Sequence, residues 1–568
     1  MATDPTVADA AIAYFSMEIA LDPAIPTYSG GLGVLAGDTL RSAADLEVPM
    51  VAITLLARKG YFHQTLGPDG TQHESAEQWN PTLQLHPLSA TASVVLEGRA
   101  VRIRAWLYQV RGISGHVVPV YLLDTDLPEN NETDRKLTDH LYGGDPYYRL
   151  RQEAILGLGG LAILKELGHE AVRVYHLNEG HSALLALGLL ERQLKSHKSS
   201  TVTDEDVQPV RRQCVFTTHT PVPAGHDQFP AQLVKQVLGE ERVSLIAAAG
   251  GYHDGALNMT YLALRSSHYI NGVGMHHGEV SRGMFPEYPV RAITNGVHAV
   301  TWVSPPFAEV YDRHIPEWRQ DNLYLRYAVG IPLQEIGEAH LAAKRALFAE
   351  IKARTGAELD EKLMTIGFAR RAATYKRLDL LFTDRERLKW IARQIGPLQI
   401  VCGGKAHPQD GGGKEAIRHI FEAAAALRGS VQVAYIENYD LCWGHLITSG
   451  VDLWLNTPQH PQESSGTSGM KAALNGVPSL SVMDGWWVEG HVEGVTGWAI
   501  GDDDATLSPT AELASLYGKL EWLILPMYYG RPAAYAEVMR YTIALNGAFF
   551  NTQRMVSQYV ANAYGRAG

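Results

Sequence analysis

Leu363-Met364-Thr365-Ile366-Gly367-Phe368 runs directly into Ala369-Arg370-Arg371-Ala372-Ala373-Thr374-Tyr375-Lys376-Arg377. The first six residues read as a short strand, and four cations crowd into the eight residues from Arg370 to Arg377. Runs of the same kind recur at 398–402, 431–436, 452–455 and 479–483, separated by helix-length spacers. Short β-rich runs alternating with helical patterns mark a parallel sheet with helices on both faces. The first half repeats the pattern at 12–15, 172–176 and 214–218, with a helix at about 150–167. Both halves therefore read as doubly wound.

A chain of 568 residues is too long for one hydrophobic core, so at least two domains are required. The segment 295–320 has little periodicity and contains Thr301-Trp302-Val303-Ser304-Pro305-Pro306, which suggests a domain crossing. A long amphipathic helix at about 333–353 follows, with Leu333, Ile336, His340, Leu347 and Ile351 near one face. These features divide the chain into an N-terminal domain, 1–300, and a C-terminal domain, 301–545. A closing helical segment, 546–568, is expected to pack back on the first.

An apolar fraction of 46% excludes a disordered chain, and a net charge of −12 removes any general attraction to nucleic acid or an anionic membrane. An anion must then be gripped locally. The three cysteines, Cys214, Cys402 and Cys442, have no metal-like spacing, and His276-His277 lacks the carboxylate partners of a metal motif. Asp502-Asp503-Asp504 reads as a solvated acidic turn. Met1 to Ala10 carries acids without a basic leader pattern, and no run approaches a transmembrane span, so a cytoplasmic protein is expected.

Ligands of open parallel sheets bind beyond the carboxyl ends of the strands. The residues at those positions are polar: Asn178-Glu179-Gly180-His181, His219, Gly403-Gly404-Lys405, Glu437-Asn438-Tyr439 and Asp484-Gly485. Turn chemistry explains any one of them, but not their coincidence across many strands. Arg371 leads toward a helix start, where backbone donors can join its planar fork on a phosphate. Ser29-Gly30-Gly31-Leu32-Gly33 opens another helical pattern and can bring backbone N–H groups close to a ligand. It is neither GxGxxG nor a Walker loop.

Glu463-Ser464-Ser465-Gly466-Thr467-Ser468-Gly469-Met470-Lys471 is a small-residue loop with a lysine one helical turn in. Such loops are ordinary helix caps. A second reading is a seat for a phosphorylated aldehyde, with the helix start holding the phosphate and Lys471 forming an imine.

Taken together, these residues resemble the α-glucan phosphorylases, the glycogen, starch and maltodextrin phosphorylase family, and among them the shorter bacterial type. The anchors are Ala13-Tyr14-Phe15-Ser16-Met17-Glu18, the Gly30–Gly33 loop, His268 to Val273, Thr294-Asn295-Gly296, Arg371 to Arg377, Glu437-Asn438-Tyr439 and Glu463 to Gly476. The resemblance implies an α/β fold of GT-B type, two Rossmann-like domains with the active site in the interdomain cleft. It implies reversible phosphorolysis of a terminal α-1,4-linked glucose to glucose 1-phosphate with retention. The implied cofactor is pyridoxal 5'-phosphate, held as a Schiff base on Lys471 and acting through its phosphate group.

By position, the resemblance makes Arg371 and Lys376 the clamp on the substrate phosphate, with Gly31 a backbone donor to it. Arg370, Tyr439, Thr467, Ser468 and Gly469 surround the cofactor phosphate. Leu32, Asn295, Tyr375 and Glu463 hold the glucose ring, and the carbonyl of His268 faces the reacting carbon. Arg370 stands where the larger enzymes have lysine, and Thr467-Ser468-Gly469-Met470 replaces their Thr-Gly-Asn-Met. The implied partners are a maltodextrin or other α-1,4-glucan, inorganic phosphate and glucose 1-phosphate, with no nucleic acid or membrane and a possible homo-oligomer. A nucleotide-sugar glucosyltransferase of the glycogen synthase kind shares the fold and the glycine loop but does not need Lys471. A silent glucan-binding protein would not need the phosphate clamp.

Overall fold

The computed structural model describes residues 10–197, 202–222, 225–501 and 508–565; Asp502-Asp503-Asp504 lies outside the described residues. The chain forms two compact units, one of Met1–Phe62, Ala76–Thr294 and Met555–Gly568, the other of His63–Ser75 and Asn295–Arg554.

The first unit is built on a nine-stranded sheet in the order Arg291–Ala292, Tyr269–Gly272, Cys214–Thr217, Val174–Asn178, Ile12–Ser16, Met50–Leu55, Val117–Asp124, Arg99–Arg111 and His86–Leu96. Pairing is parallel up to Val117–Asp124. The last two strands pair antiparallel, which departs from the purely parallel sheet that the sequence suggests. Their alternation is visible afterwards: Val101, Ile103 and Ala105 are buried, Ala100 and Arg102 exposed. Glu97 and Gly98 link them with φ of 52° and 76°, the left-handed pair that a two-residue hairpin requires. The expected helix around 150–167 is Pro146–Ala154, a π-turn Ile155–Gly159, and Gly160–Glu166.

Met555, Val556, Tyr559, Ala563 and Tyr564 join the core of this unit with Ile12 and Tyr14. The Tyr559 hydroxyl accepts from Asn271 Nδ2 at 2.9 Å and lies 3.0 Å from Thr217 Oγ1, while the Tyr564 hydroxyl is 2.7 Å from His176 Nδ1.

The second unit holds a six-stranded, wholly parallel sheet in the order Gln432–Ile436, Leu398–Gly403, Met364–Ala369, Leu453–Asn456, Ser479–Val482 and Gly497–Ile500. Chain progression reverses between Met364–Ala369 and Leu453–Asn456, the place where doubly wound sheets open a crevice. The helix Leu333–Thr355 buries Ile336, His340, Leu347 and Ile351.

The hairpin of His63–Leu66 and Gln72–Ser75 also belongs to the second unit. Its attachment is by side-chain amides: Gln64 Nε2 donates to the Gly404 carbonyl at 3.0 Å, and Gln72 Oε1 accepts from Ala406 N at 2.9 Å. An uninterrupted 1–300 segment thus does not describe the chain. Among the described residues no helix is long and apolar enough to cross a membrane.

Candidate active site

At the reversal point of the second sheet, Arg370 leaves strand Met364–Ala369 and reaches across to the neighbouring strand. Its Nη2 donates to the Leu455 carbonyl at 2.8 Å and its Nη1 to Asn456 Oδ1. Burial lowers the guanidinium pKa to about 10, against the opposing pull of Glu463. Arg371, next along, is exposed. The helix anticipated after it is only a 3₁₀ turn, Thr374–Lys376.

Lys376 and Glu463 form an ion pair with side-chain exposures of 14% and 5%. Burial pulls the Lys376 pKa down, but the carboxylate more than reverses this and leaves it raised. Two residues assigned by resemblance to different guests, phosphate and glucose, are therefore each other's counterion. Asp484 supports the pair from below: its Oδ2 accepts from Glu463 N at 2.9 Å and its Oδ1 from Gly485 N at 2.8 Å. Burial, with the Glu463 charge adding, raises the Asp484 carboxyl to about 7.

Lys471 is buried on the short helix Ser468–Ala473, preceded by Thr467 as N-cap. Its Nζ lies 3.8 Å from the centre of the Trp302 ring. His445 stacks on the same indole, centroids 6.4 Å apart at 29°. A Cβ on Gly444 would fall 2.9 Å from the Tyr439 hydroxyl and 3.6 Å from Trp302 Cζ3, so Tyr439 and Trp302 crowd the same face of helix Leu441–Gly450. Ser468 Oγ accepts from Trp454 Nε1 at 3.2 Å, and a Cβ on Gly469 would meet Trp486 at 2.7 Å. Asn295, at the start of this unit, gives its carbonyl to Arg554 Nη2 at 2.9 Å. Tyr375 gives its carbonyl to Gln459 N at 2.7 Å, and its ring lies 4.9 Å from Lys376 Nζ.

The residues fit an anionic aldehyde. Asn295 Oδ1, Ser304 Oγ and Ser465 Oγ are buried without a hydrogen-bond partner among the described residues. With Arg370, Lys376 and the backbone start at Thr467, the two serine hydroxyls supply donors for a phosphate, the Asn295 oxygen an acceptor for a hydroxyl, and Lys471 the amine for the carbonyl.

In the first unit the carboxyl edge is equally polar. Gly31 opens helix Gly31–Asp45, whose first bond runs from Val34 N to the Gly30 carbonyl at 3.2 Å, so the N–H groups of Gly31, Leu32 and Gly33 point out of the helix start. Behind them Glu18 accepts from Ser29 N at 2.6 Å, Gly30 N at 3.2 Å and the Tyr142 hydroxyl at 2.9 Å, and burial raises its pKa. A Cβ on Gly33 would lie 2.6 Å from Glu18 Oε2, whereas one on Gly31 meets no protein atom within 4 Å. Farther along, His219 N donates to Glu179 Oε2 at 2.8 Å, and His219 Nε2 lies 2.7 Å from Asn178 Oδ1. Glu179 itself has φ 72°, a strained value for a side-chain-bearing residue.

His268 is not among them. Its N–H donates to the carbonyl of Cys214, the first residue of strand Cys214–Thr217, and its Nε2 lies 3.2 Å from the Ala563 carbonyl. It sits at the amino edge of the sheet, and five residues of extended chain separate that level from His219, roughly 15 Å. The resemblance assigns His268 by position alone; in the structure it directly precedes strand Tyr269–Gly272, so it lies at the end of the sheet opposite the carboxyl edge. His219, which follows strand Cys214–Thr217, lies on the carboxyl edge. Neither Trp302 nor Glu18 stands out in the sequence as a candidate site residue, whereas Asp484 does by its place at a strand end; only packing shows Trp302 against Lys471.

Residues 239–496 match the family model described as carbohydrate phosphorylase. Over 98% of its length the chain is 40% identical to the maltodextrin phosphorylase of Thermococcus litoralis, covering 70% of that protein. It is 37% identical to the glycogen phosphorylase of Mycobacterium tuberculosis, covering 98% of this chain and 71% of that one. For the glycogen phosphorylase of Aquifex aeolicus the identity is 33%, over 98% and 86%. The chain belongs to the carbohydrate phosphorylase family.

Proposed function

We propose that this chain is an α-1,4-glucan phosphorylase, a hexosyltransferase that uses inorganic phosphate to release the terminal glucose of a maltodextrin or other α-1,4-glucan as α-glucose 1-phosphate, reversibly and with retention. The observation that carries the reading is the buried Lys471 amine on a small-residue helix start, within the same unit as the cations Arg370 and Lys376. The GT-B-type arrangement of two Rossmann-like domains, and a cytoplasmic location, belong to the same proposal.

Lys471 would hold pyridoxal 5'-phosphate, with Arg370, Tyr439, Thr467, Ser468 and Gly469 around its phosphate. When bound, that group supplies a phosphate able to give and take a proton beside the substrate phosphate. Arg371 and Lys376, with the Gly31 N–H, neutralise the substrate phosphate as it approaches the sugar. Leu32, Asn295, Tyr375 and Glu463 orient the ring. In the reaction the C1–O bond to the glucan breaks and a C1–O bond to phosphate forms. The proton that leaves the attacking phosphate goes to the departing glycosidic oxygen. Arg370 stays charged near pH 7 even with its lowered pKa of about 10, so it can hold a dianion.

The test is direct. Purified protein loaded with pyridoxal phosphate, given maltodextrin and phosphate, is expected to form α-glucose 1-phosphate and no free glucose. Glucan extension only from a nucleotide-glucose donor would overturn the reading.

A further inference from the structure

One side chain joins Lys471 to the indole beside it. Asn475, four residues on from Lys471 and fully buried, donates from Nδ2 to the Trp302 carbonyl at 2.8 Å and to the Lys471 carbonyl at 3.1 Å. Its Oδ1 accepts from Ser304 N at 2.7 Å. The carboxamide thus grips the peptide groups on both sides of Val303 as a neighbouring strand would, while its other proton holds the lysine's own backbone. A further bond ties the same two segments: the Tyr311 hydroxyl donates to the Leu474 carbonyl at 2.7 Å. Trp302 ends the short helix Ala299–Trp302 and Ser304 begins the next, Pro305–His314. Between two such short elements the backbone has little local reason to keep the indole where it is.

We propose that Asn475 is a positioning residue: its carboxamide sets the Trp302 ring 3.8 Å from the Lys471 amine and so fixes the orientation and water exposure of the group that carries the cofactor. The proposal rests on the reading of Lys471 as the cofactor lysine. An amide is suited to the task because it bonds two carbonyls and one N–H at once; a hydroxyl or a carboxylate of similar size cannot do all three. The ring gives the amine a face that attracts its cationic form and a wall that excludes water from that side. His445, stacked on the indole, limits its tilt.

The experiment uses the full chain loaded with pyridoxal phosphate, comparing wild type, Asn475→Ala, Trp302→Leu and the double variant. Two readouts are taken besides activity: the visible circular dichroism of the bound cofactor, which depends on its asymmetric surroundings, and the rate of cofactor release into a trapping protein. Asn475→Ala and Trp302→Leu are each expected to weaken the visible band at least twofold and to speed release at least tenfold. The double variant is expected to be no worse than the more affected single one, because both act through the same ring. A wild-type band and release rate in Asn475→Ala, even with a lowered melting temperature, would show a purely structural amide and overturn the proposal. If Asn475→Ala does not fold, Trp302→Leu carries the test, since it keeps all three backbone bonds to the amide; wild-type spectra there would equally overturn it. Failure of the underlying reading looks different: wild-type protein that takes up no cofactor on Lys471 removes both ideas before any variant is compared.

Discussion

Lys376 and Glu463, 87 residues apart in sequence, meet as a buried ion pair at the mouth of the second sheet, and the Glu463 backbone is held in turn by Asp484. The pairing explains how a lysine and a carboxylate can wait in one site without either being stranded. On the proposed reading, a phosphate arriving at Lys376 would compete with Glu463 for the same charge.

Breaking the pair on one side leaves a buried charge. Glu463→Gln should destabilise the second unit by about 3–5 kcal/mol, and Lys376→Met combined with Glu463→Gln should recover most of that loss. Denaturant unfolding of the two single variants and the double variant checks it. Equal losses that simply add would mean the two side chains do not interact.

Arg371 is exposed where Arg370 is tied to Leu455 and Asn456. The two arginines should therefore separate by function. Arg371→Ala is expected to lower kcat/KM for phosphate roughly 100-fold while the protein keeps its cofactor colour. Arg370→Ala should instead weaken cofactor retention. Equilibrium dialysis of pyridoxal phosphate beside steady-state phosphate titrations distinguishes them.

The glycine loop gives a paired test of packing against ligand approach. Gly33→Ala places a Cβ 2.6 Å from Glu18 Oε2 and 2.7 Å from Tyr28 Cβ, so it should cost about 1–3 kcal/mol of stability. Gly31→Ala has open space and should change stability by less than about 0.5 kcal/mol. It should still raise KM for phosphate, because a methyl group would stand between the backbone N–H and its guest. Melting curves and phosphate titrations on the same two preparations read both effects.

His176 is buried between the Tyr564 hydroxyl and Thr217 Oγ1, and burial, with the charge of His219 adding, lowers its pKa from 6.5 to about 3. The folded-state pKa lies below the unfolded one, so the unfolded chain binds the extra proton as the pH drops beneath 6.5. Stability from this residue is complete above pH 6.5 and is lost toward pH 3. Against His176→Gln, which carries no titrating proton, the wild-type advantage should shrink by about 1.4 kcal/mol per pH unit below 6.5. Urea midpoints at pH 7.5, 6 and 5 measure it, and a constant difference would contradict it.

The second sheet was legible because its strands are short apolar runs with helix-length spacers, and five of its six were readable; Gly497–Ile500 begins on a glycine and follows Ser479–Val482 with only a four-residue helix between them, so no helix-length spacer sets it off. The antiparallel edge of the first sheet was lost because its hairpin turns on Glu97-Gly98 instead of an obvious turn pair. Glutamine amides acting across more than 300 residues place the His63–Ser75 hairpin, which no local pattern reports. Within the proposed site, Lys471, Arg370 and Tyr439 follow from the motifs that carry the family resemblance. Trp302 and Asn475 do not, because what matters about them is a contact across more than 160 residues.

The central claim is that Lys471 carries pyridoxal phosphate. Borohydride reduction of the loaded protein, followed by peptide mass mapping, is expected to place one reduced pyridoxyl phosphate group on Lys471 and none on Lys376, with Lys471→Ala unlabelled and unable to form glucose 1-phosphate. Label spread over surface lysines, or full activity in Lys471→Ala, would contradict it.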